Sequence, residues 1–170
     1  MSTELIVPMS LTMSLLAYIL IARWYLLPWL NAHTRREALT PILLFHSFRH
    51  IGMAFLIVGV TAQPLDPRFA EPAAYGDLLA ALLALVALWA LRSRWAVALP
   101  LVWIFNIVGT VDLLNAVYQG LQFIPNGDLG ATYFIPIVIV PTLLVTHYLV
   151  FRLLLQRDDV VQPTAVLTTT

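Results

Sequence analysis

The feature that most constrains this chain is an apolar run that carries basic residues near its middle. Residues 41–62, PILLFHSFRHIGMAFLIVGVTA, are apolar and long enough to cross a bilayer, yet they include His46, Arg49 and His50. A charged side chain at the centre of a membrane helix costs roughly 2.5–3.5 kcal/mol on insertion scales. A lone helix would not hold Arg49 there, so we expect other helices to surround this segment and to supply polar partners.

The composition of the whole chain is typical of an integral membrane protein. Hydrophobic residues make up 61% of the chain and charged residues only 11%, whereas soluble domains are about 25% charged. Nine basic residues balance nine acidic ones, so the chain lacks the excess positive charge that nucleic-acid binding requires. The absence of cysteine excludes disulfides, thiolate metal sites and thiol catalysis.

Five apolar stretches predict an all-α bundle of five transmembrane helices in one domain, residues 1–156, followed by a disordered cytoplasmic tail, residues 157–170. The expected spans are about 5–30, 41–62, 78–92, 97–123 and 132–155. We expect Asp77 to cap the third helix, which has no polar residue before Arg92 and looks like scaffold. The oligomeric state stays open, and the Ala-rich third helix offers a surface for a homo-oligomer.

The distribution of charge between the connections predicts the orientation, because cytoplasmic loops carry an excess of arginine. The arginines of one side are Arg35, Arg36, Arg92, Arg94, Arg152 and Arg157. The other side has Arg68 alone, with Glu4, Asp66, Glu71, Asp77 and Asp128. We therefore predict a multi-pass protein of the cell inner (cytoplasmic) membrane, with the N-terminus outside and the C-terminus in the cytoplasm.

Polar residues on several helices are expected to converge at one depth. At about 1.5 Å per residue, the polar residues of four helices lie roughly 10–14 Å from their cytoplasmic ends, with Asp112 nearer the midplane. His46, Arg49 and His50 share one face of an α-helix, because they are three and four residues apart. The predicted ligand-binding residues are Arg49, His46, His50, Asn106, Asp112, Asn115 and His147.

Arg49 and Asp112 form the sharpest predicted pair, because they are opposite charges on two interior helices. In one interpretation the pair only locks the second and fourth helices together. In the other, Arg49 holds an anionic or carbonyl-bearing ligand and Asp112 acts as counter-ion or proton carrier, since ionisable residues inside membranes are functional by default.

The histidines allow further interpretations. His46, His50 and His147 are candidates for a histidine-bound metal, or for axial ligation of haem, although no cofactor is favoured. Each histidine alone is best explained as a hydrogen-bonded side chain inside the bundle. A role in proton transfer ranks between this structural interpretation and the metal or haem sites, because histidine titrates near neutral pH.

No hydrolase, P-loop or dinucleotide motif is present in the sequence. The leading hypothesis is therefore a small membrane protein that binds or transports an amphipathic or anionic small molecule, such as a lipid, isoprenoid or quinone. An alternative is an intramembrane isomerase, cyclase or oxidoreductase in which Asp112 or His50 is the general acid or base. Membrane lipid is an expected partner, and a purely structural subunit is a third possibility.

Overall fold

The computed structural model describes residues 5–124 and 127–156. The predicted tail, together with Glu4 and Arg157, lies outside these described residues. Within them the chain is helical without strands, and five helices are long and apolar enough to cross a membrane. They are α1 (Ile6–Asn31), α2 (Arg35–Leu56), α3 (Pro67–Arg92), α4 (Ala98–Phe123) and α5 (Gly130–Leu155). The predicted all-α membrane bundle is confirmed.

Prolines interrupt the regular hydrogen bonding of α1 and α5. A proline has no backbone N–H, so a carbonyl one turn earlier loses its donor. In each helix the turn before a proline widens into a π-helix, over Ala22–Leu26 and Ile135–Ile139. Leu27 N–H then donates to the Ala22 carbonyl, and α5 resumes α-helical geometry at Val140.

Helix α2 begins earlier than the expected residue 41. Thr34 is its N-cap, and a capping box joins the Thr34 and Glu37 side chains to each other's backbone N–H. This reciprocal bonding satisfies N–H groups that a helix start otherwise leaves without partners. Pro41 therefore lies inside the helix instead of at its first turn.

The second half of α2 is a 3₁₀-helix, Ser47–Leu56. A 3₁₀-helix has three residues per turn, so side chains three apart lie above one another. The buried residues of this segment, Arg49, Gly52 and Phe55, follow that period. Runs of this length are uncommon, and a long 3₁₀ stretch often marks a functional hinge or strain.

Helix α3 also begins earlier than expected, so Asp77 is not its N-cap. Asp66 occupies that position and accepts a hydrogen bond from Arg68 N–H, while Pro67 fits the first turn, where no N–H is needed. The Arg68 guanidinium and backbone bonds lower the pKa of the partly exposed Asp66 carboxyl to about 2. Asp77 consequently lies inside the helix, where its side chain can point into the bundle.

Helix α3 packs between α2 and α4, while α5 contacts α1, α2 and α4. Ala80, Ala84 and Ala87 of α3 are completely buried within the chain itself, and their small side chains let neighbouring backbones approach. Helix α1 is peripheral, because only 6% of the residues in its most apolar stretch are buried.

Two apolar clusters form the core, and Leu43 belongs to one and Phe55 to the other. Arg49 lies between these two residues along α2, and so between the two apolar clusters.

Candidate functional site

Arg49 is the centre of a buried polar network. Its Nε donates to Asp77 Oδ1 at 2.8 Å, and its Nη2 donates to Asp112 Oδ2 at 2.7 Å. Nη2 also lies 2.8 Å from Asp77 Oδ1. Nη1 donates to the Gly109 carbonyl at 3.0 Å and lies 3.2 Å from His147 Nε2. All three guanidinium nitrogens thus have acceptors from the chain, on α3, α4 and α5.

The ion pair between Arg49 and Asp112 is present as predicted, but a second carboxylate, that of Asp77, shares the same guanidinium. One guanidinium and two carboxylates carry a formal charge of −1. The Arg49 side chain is completely buried, whereas each carboxylate side chain is 13% exposed. Sequence reasoning missed Asp77 because it assigned that residue to a helix end. The Asp66-Pro67 pair is the cap signal that would have corrected it.

The hydrogen bonds of His147 assign it a neutral tautomer. Its Nδ1 lies 2.7 Å from Asn106 Oδ1, and the Asn106 amide donates to the His147 carbonyl at 3.3 Å. Because Asn106 Oδ1 can only accept, Nδ1 carries the proton and Nε2 accepts from Arg49. Asn106 therefore orients the imidazole that faces the guanidinium.

His46 contacts the same network through its ring. The His46 and His147 ring centroids are 4.4 Å apart, and His46 Nε2 lies 2.9 Å from Thr146 Oγ1. The Thr146 hydroxyl donates to the Thr142 carbonyl at 2.8 Å, so His46 Nε2 is the donor to Thr146. The buried Nδ1 has no hydrogen-bond partner among the described residues, so no acceptor is present for a second proton and His46 is assigned as neutral, with its proton on Nε2.

Three glycines leave room for the network. A Cβ built on Gly52 would lie 1.9 Å from Asp77 Oδ2, and one on Gly76 would lie 1.7 Å from Asp112 Oδ1. A Cβ on Gly109 would lie 2.9 Å from Arg49 Nη1 and 2.8 Å from His147 Cε1. Any side chain at these positions would displace a member of the network.

The structure brings together five of the seven predicted ligand-binding residues, namely Arg49, His46, Asn106, Asp112 and His147. His50 is exposed, and its Nδ1 lies 2.9 Å from the Ser47 carbonyl. It is turned away because each residue of a 3₁₀-helix is rotated by about 120° from the one before. Asn115 is also exposed, because the inward stripe of α4 runs through residues 106, 109 and 113.

An apolar cavity of about 260 Å³ lies beside the network, and residues of all five helices line it. Its lining includes Val7, Leu11, Phe55, Val117, Leu121 and Ile135. Within the described part of the chain, Asp77 is the one lining residue with a polar side chain. Its Oδ1 faces Arg49, and its Oδ2 accepts no hydrogen bond from the described residues. One carboxylate thus connects the cavity to the network.

The donor set gives little support to a metal or haem. Across residues 5–124 and 127–156, no three His, Asp or Glu side chains converge in a way that would hold a metal ion. Ligation also needs a free ring nitrogen. Both nitrogens of His147 are engaged by Arg49 and Asn106, and of the two buried histidines only His46 has a ring nitrogen, Nδ1, without a partner among the described residues.

The fold and the site define a multi-pass helical membrane protein in which a buried arginine, two buried histidines and two partly buried aspartates lie beside an apolar cavity. The chain belongs to the family described as Domain of unknown function (DUF8737), whose model matches residues 6–155. No curated protein and no solved structure matches the chain. The matched range contains all five helices and every residue of the network.

Proposed function

We propose that this membrane protein binds an amphipathic, lipid-like small molecule in the apolar cavity. The observation that carries the proposal is the cavity itself, about 260 Å³ in volume, with apolar walls and the single carboxylate of Asp77. Ligand pockets are typically apolar with a few placed polar groups and measure about 300–1,000 Å³. The small volume favours one chain or ring, such as part of an isoprenoid or quinone, over a complete lipid with two acyl chains.

Asp77 is the residue proposed to contact the ligand, and the rest of the network positions it. Arg49 anchors Oδ1, while Asp112, His147 and the Gly109 carbonyl hold Arg49. Arg49 was the expected anchor for an anionic head group. Its three nitrogens already have acceptors within the chain, so the ligand contact is better assigned to Asp77.

Native mass spectrometry of the purified protein tests the binding proposal. We expect a co-purified amphiphile in the wild-type protein and its loss in Ala116→Phe, because Ala116 lines the cavity and a phenyl ring would fill part of it. The control is Ala17→Phe, the same change on the exposed face of α1. Equal adducts in both variants would mean that the ligand binds elsewhere.

An enzymatic role remains the second candidate, on one observation. Asp77 presents an oxygen without a hydrogen-bond partner among the described residues to an apolar cavity, where a carboxylate can act as general base on a bound lipid-like substrate. Incubation with a membrane-lipid extract distinguishes the two roles. A binding protein returns the ligand unchanged, whereas an isomerase or cyclase forms a product that Ala116→Phe does not form.

We also propose that the chain lies in the cytoplasmic membrane with its N-terminus outside, on the basis of the arginine distribution. The native chain has no cysteine, so single cysteines report topology without background. A membrane-impermeant maleimide added outside should modify Ala62→Cys, between α2 and α3, and should spare Ser93→Cys, between α3 and α4. The opposite pattern would reverse the orientation.

A further inference from the structure

We infer that the cavity selects an amphiphile whose head group donates a hydrogen bond, an ammonium or a hydroxyl, and excludes a carboxylate or phosphate head group. The inference rests on the proposed function, because it names the class of ligand that the same cavity would take. It differs from the expectation that Arg49 anchors an anion.

The first support is the chemistry of the cavity wall. An ionised carboxylate accepts hydrogen bonds and donates none. Asp77 Oδ2 has no partner among the described residues, while Oδ1 is held by Arg49. A ligand that donates N–H or O–H would satisfy Oδ2, and the apolar side chains around it would contact only hydrocarbon. A ligand that only accepts would find no donor among the lining side chains.

The second support is the charge beside the cavity. Arg49 neutralises one of the two carboxylates, and the tautomers of His46 and His147 add no positive charge. The network therefore has a formal charge of −1. Charges interact more strongly in a poorly solvated interior than in water, so an anionic head group would be repelled and a cationic one attracted.

The third support is the position of the guanidinium. Within the described part of the chain Arg49 does not line the cavity, and its side chain is completely buried. Its Nε and Nη2 face the Asp77 and Asp112 oxygens, and its Nη1 faces Gly109 and His147. An anion could reach Arg49 only after displacing one of these acceptors.

Photoaffinity labelling in lipid nanodiscs tests the inference with a matched set of probes. The three probes share one alkyl-diazirine chain and differ only in the head group, which is an amine, a hydroxyl or a carboxylate. Labelled peptides are mapped by mass spectrometry, and cavity labelling is read on the lining residues of α4, such as Val117 and Leu121. Ala116→Phe sets the background, and Ala17→Phe is the control for an added ring.

The amine and hydroxyl probes should label these residues at least about tenfold more than the carboxylate probe, the affinity change expected from one hydrogen bond to a charged group. Equal or stronger labelling by the carboxylate probe would overturn the inference and leave the proposed binding function standing. If no probe labels wild-type protein above the Ala116→Phe background, the proposed function fails as well.

Asp77→Asn separates charge from hydrogen bonding. Arg49 holds the single amide oxygen, so the NH2 takes the place of Oδ2 and the negative charge is removed. An ammonium then finds no acceptor and labelling by the amine probe should fall about tenfold, whereas a hydroxyl can accept from the NH2 and its labelling should persist. Unchanged labelling by the amine probe in a folded Asp77→Asn protein would contradict the assignment of Asp77 as the residue that binds the head group. Should this variant fail to fold, the three-probe comparison in wild-type protein still decides the inference.

Discussion

Gly76 offers the sharpest test of the network, because its missing side chain leaves space for Asp112. A Cβ at Gly76 would lie 1.7 Å from Asp112 Oδ1, 2.5 Å from Cγ and 3.0 Å from Oδ2. These separations are too short, so Gly76→Ala must move the carboxylate. Because Asp112 Oδ2 is held by Arg49 Nη2 at 2.7 Å, the movement breaks or lengthens that bond.

The size of the effect follows from two opposing contributions. Losing one hydrogen bond to a charged group costs about 1.5–3 kcal/mol. Replacing glycine by alanine inside a helix gains about 1 kcal/mol. Gly76→Ala should therefore lower the free energy of unfolding by about 0.5–2 kcal/mol. In an Asp112→Ala background the clash is absent, so Gly76→Ala should raise the free energy of unfolding by about 1 kcal/mol.

Reversible unfolding in mixed micelles with increasing dodecyl sulfate, followed by tryptophan fluorescence, measures all four proteins of this double-mutant cycle. The coupling between the two positions should be about 1.5–3 kcal/mol. Gly120→Ala is the control, because its Cβ would meet the Phe69 ring at 3.4 Å, an ordinary contact. An equal effect of Gly76→Ala in both backgrounds would refute the proposed close packing against Asp112.

Other expected outcomes use the same unfolding measurement. Arg49→Lys should cost about 1.5–3 kcal/mol, because a single ammonium keeps the charge but cannot replace all the directed bonds of the guanidinium; a cost below about 1 kcal/mol would contradict the buried network. Thr34→Ala removes one half of the capping box of α2 and should cost about 1 kcal/mol, whereas no change would place the helix start elsewhere. His50→Ala and Asn115→Ala should each change stability by less than about 0.5 kcal/mol, and a larger loss would show that these side chains face the interior.

The sequence predicts the number of helices well and their ends less well. Five apolar stretches suffice because the bilayer sets a minimum length for each span. The predicted start of α2 is too late because its first turn is polar, and that of α3 is too late because Asp77 resembles an N-cap as well as Asp66 does. Thr34 with Glu37, and Asp66 with Pro67, are the local signals that mark the true starts. The second error moved Asp77 from the interior to a helix end.

The convergence of several predicted residues on Arg49 could be anticipated because charge compensation in hydrocarbon is a strong constraint. Arg49 required an acid inside the bundle, and the partly buried Asp112 on a neighbouring helix pairs with it. The exposure of His50 could not be predicted from charge compensation. It depends on whether α2 is a 3₁₀-helix or an α-helix at this point, because the two geometries turn the same residue to different faces. Nothing local in the sequence shows that α2 adopts 3₁₀ geometry where it packs against α3.

The energetics of buried charge bear on the role proposed for the network. Buried ion pairs often stabilise a fold no better than apolar residues of similar size, because removing charge from water offsets the attraction between the charges. Here Arg49 has acceptors for all three nitrogens, yet Asp77 retains an oxygen without a partner among the described residues. Asp77 Oδ1 joins α3 to α2 by accepting from Arg49, but Oδ2 takes no part in that contact and Asp77 also lines the apolar cavity. Under the proposed function, that oxygen is the one that a hydrogen-bond-donating ligand would satisfy.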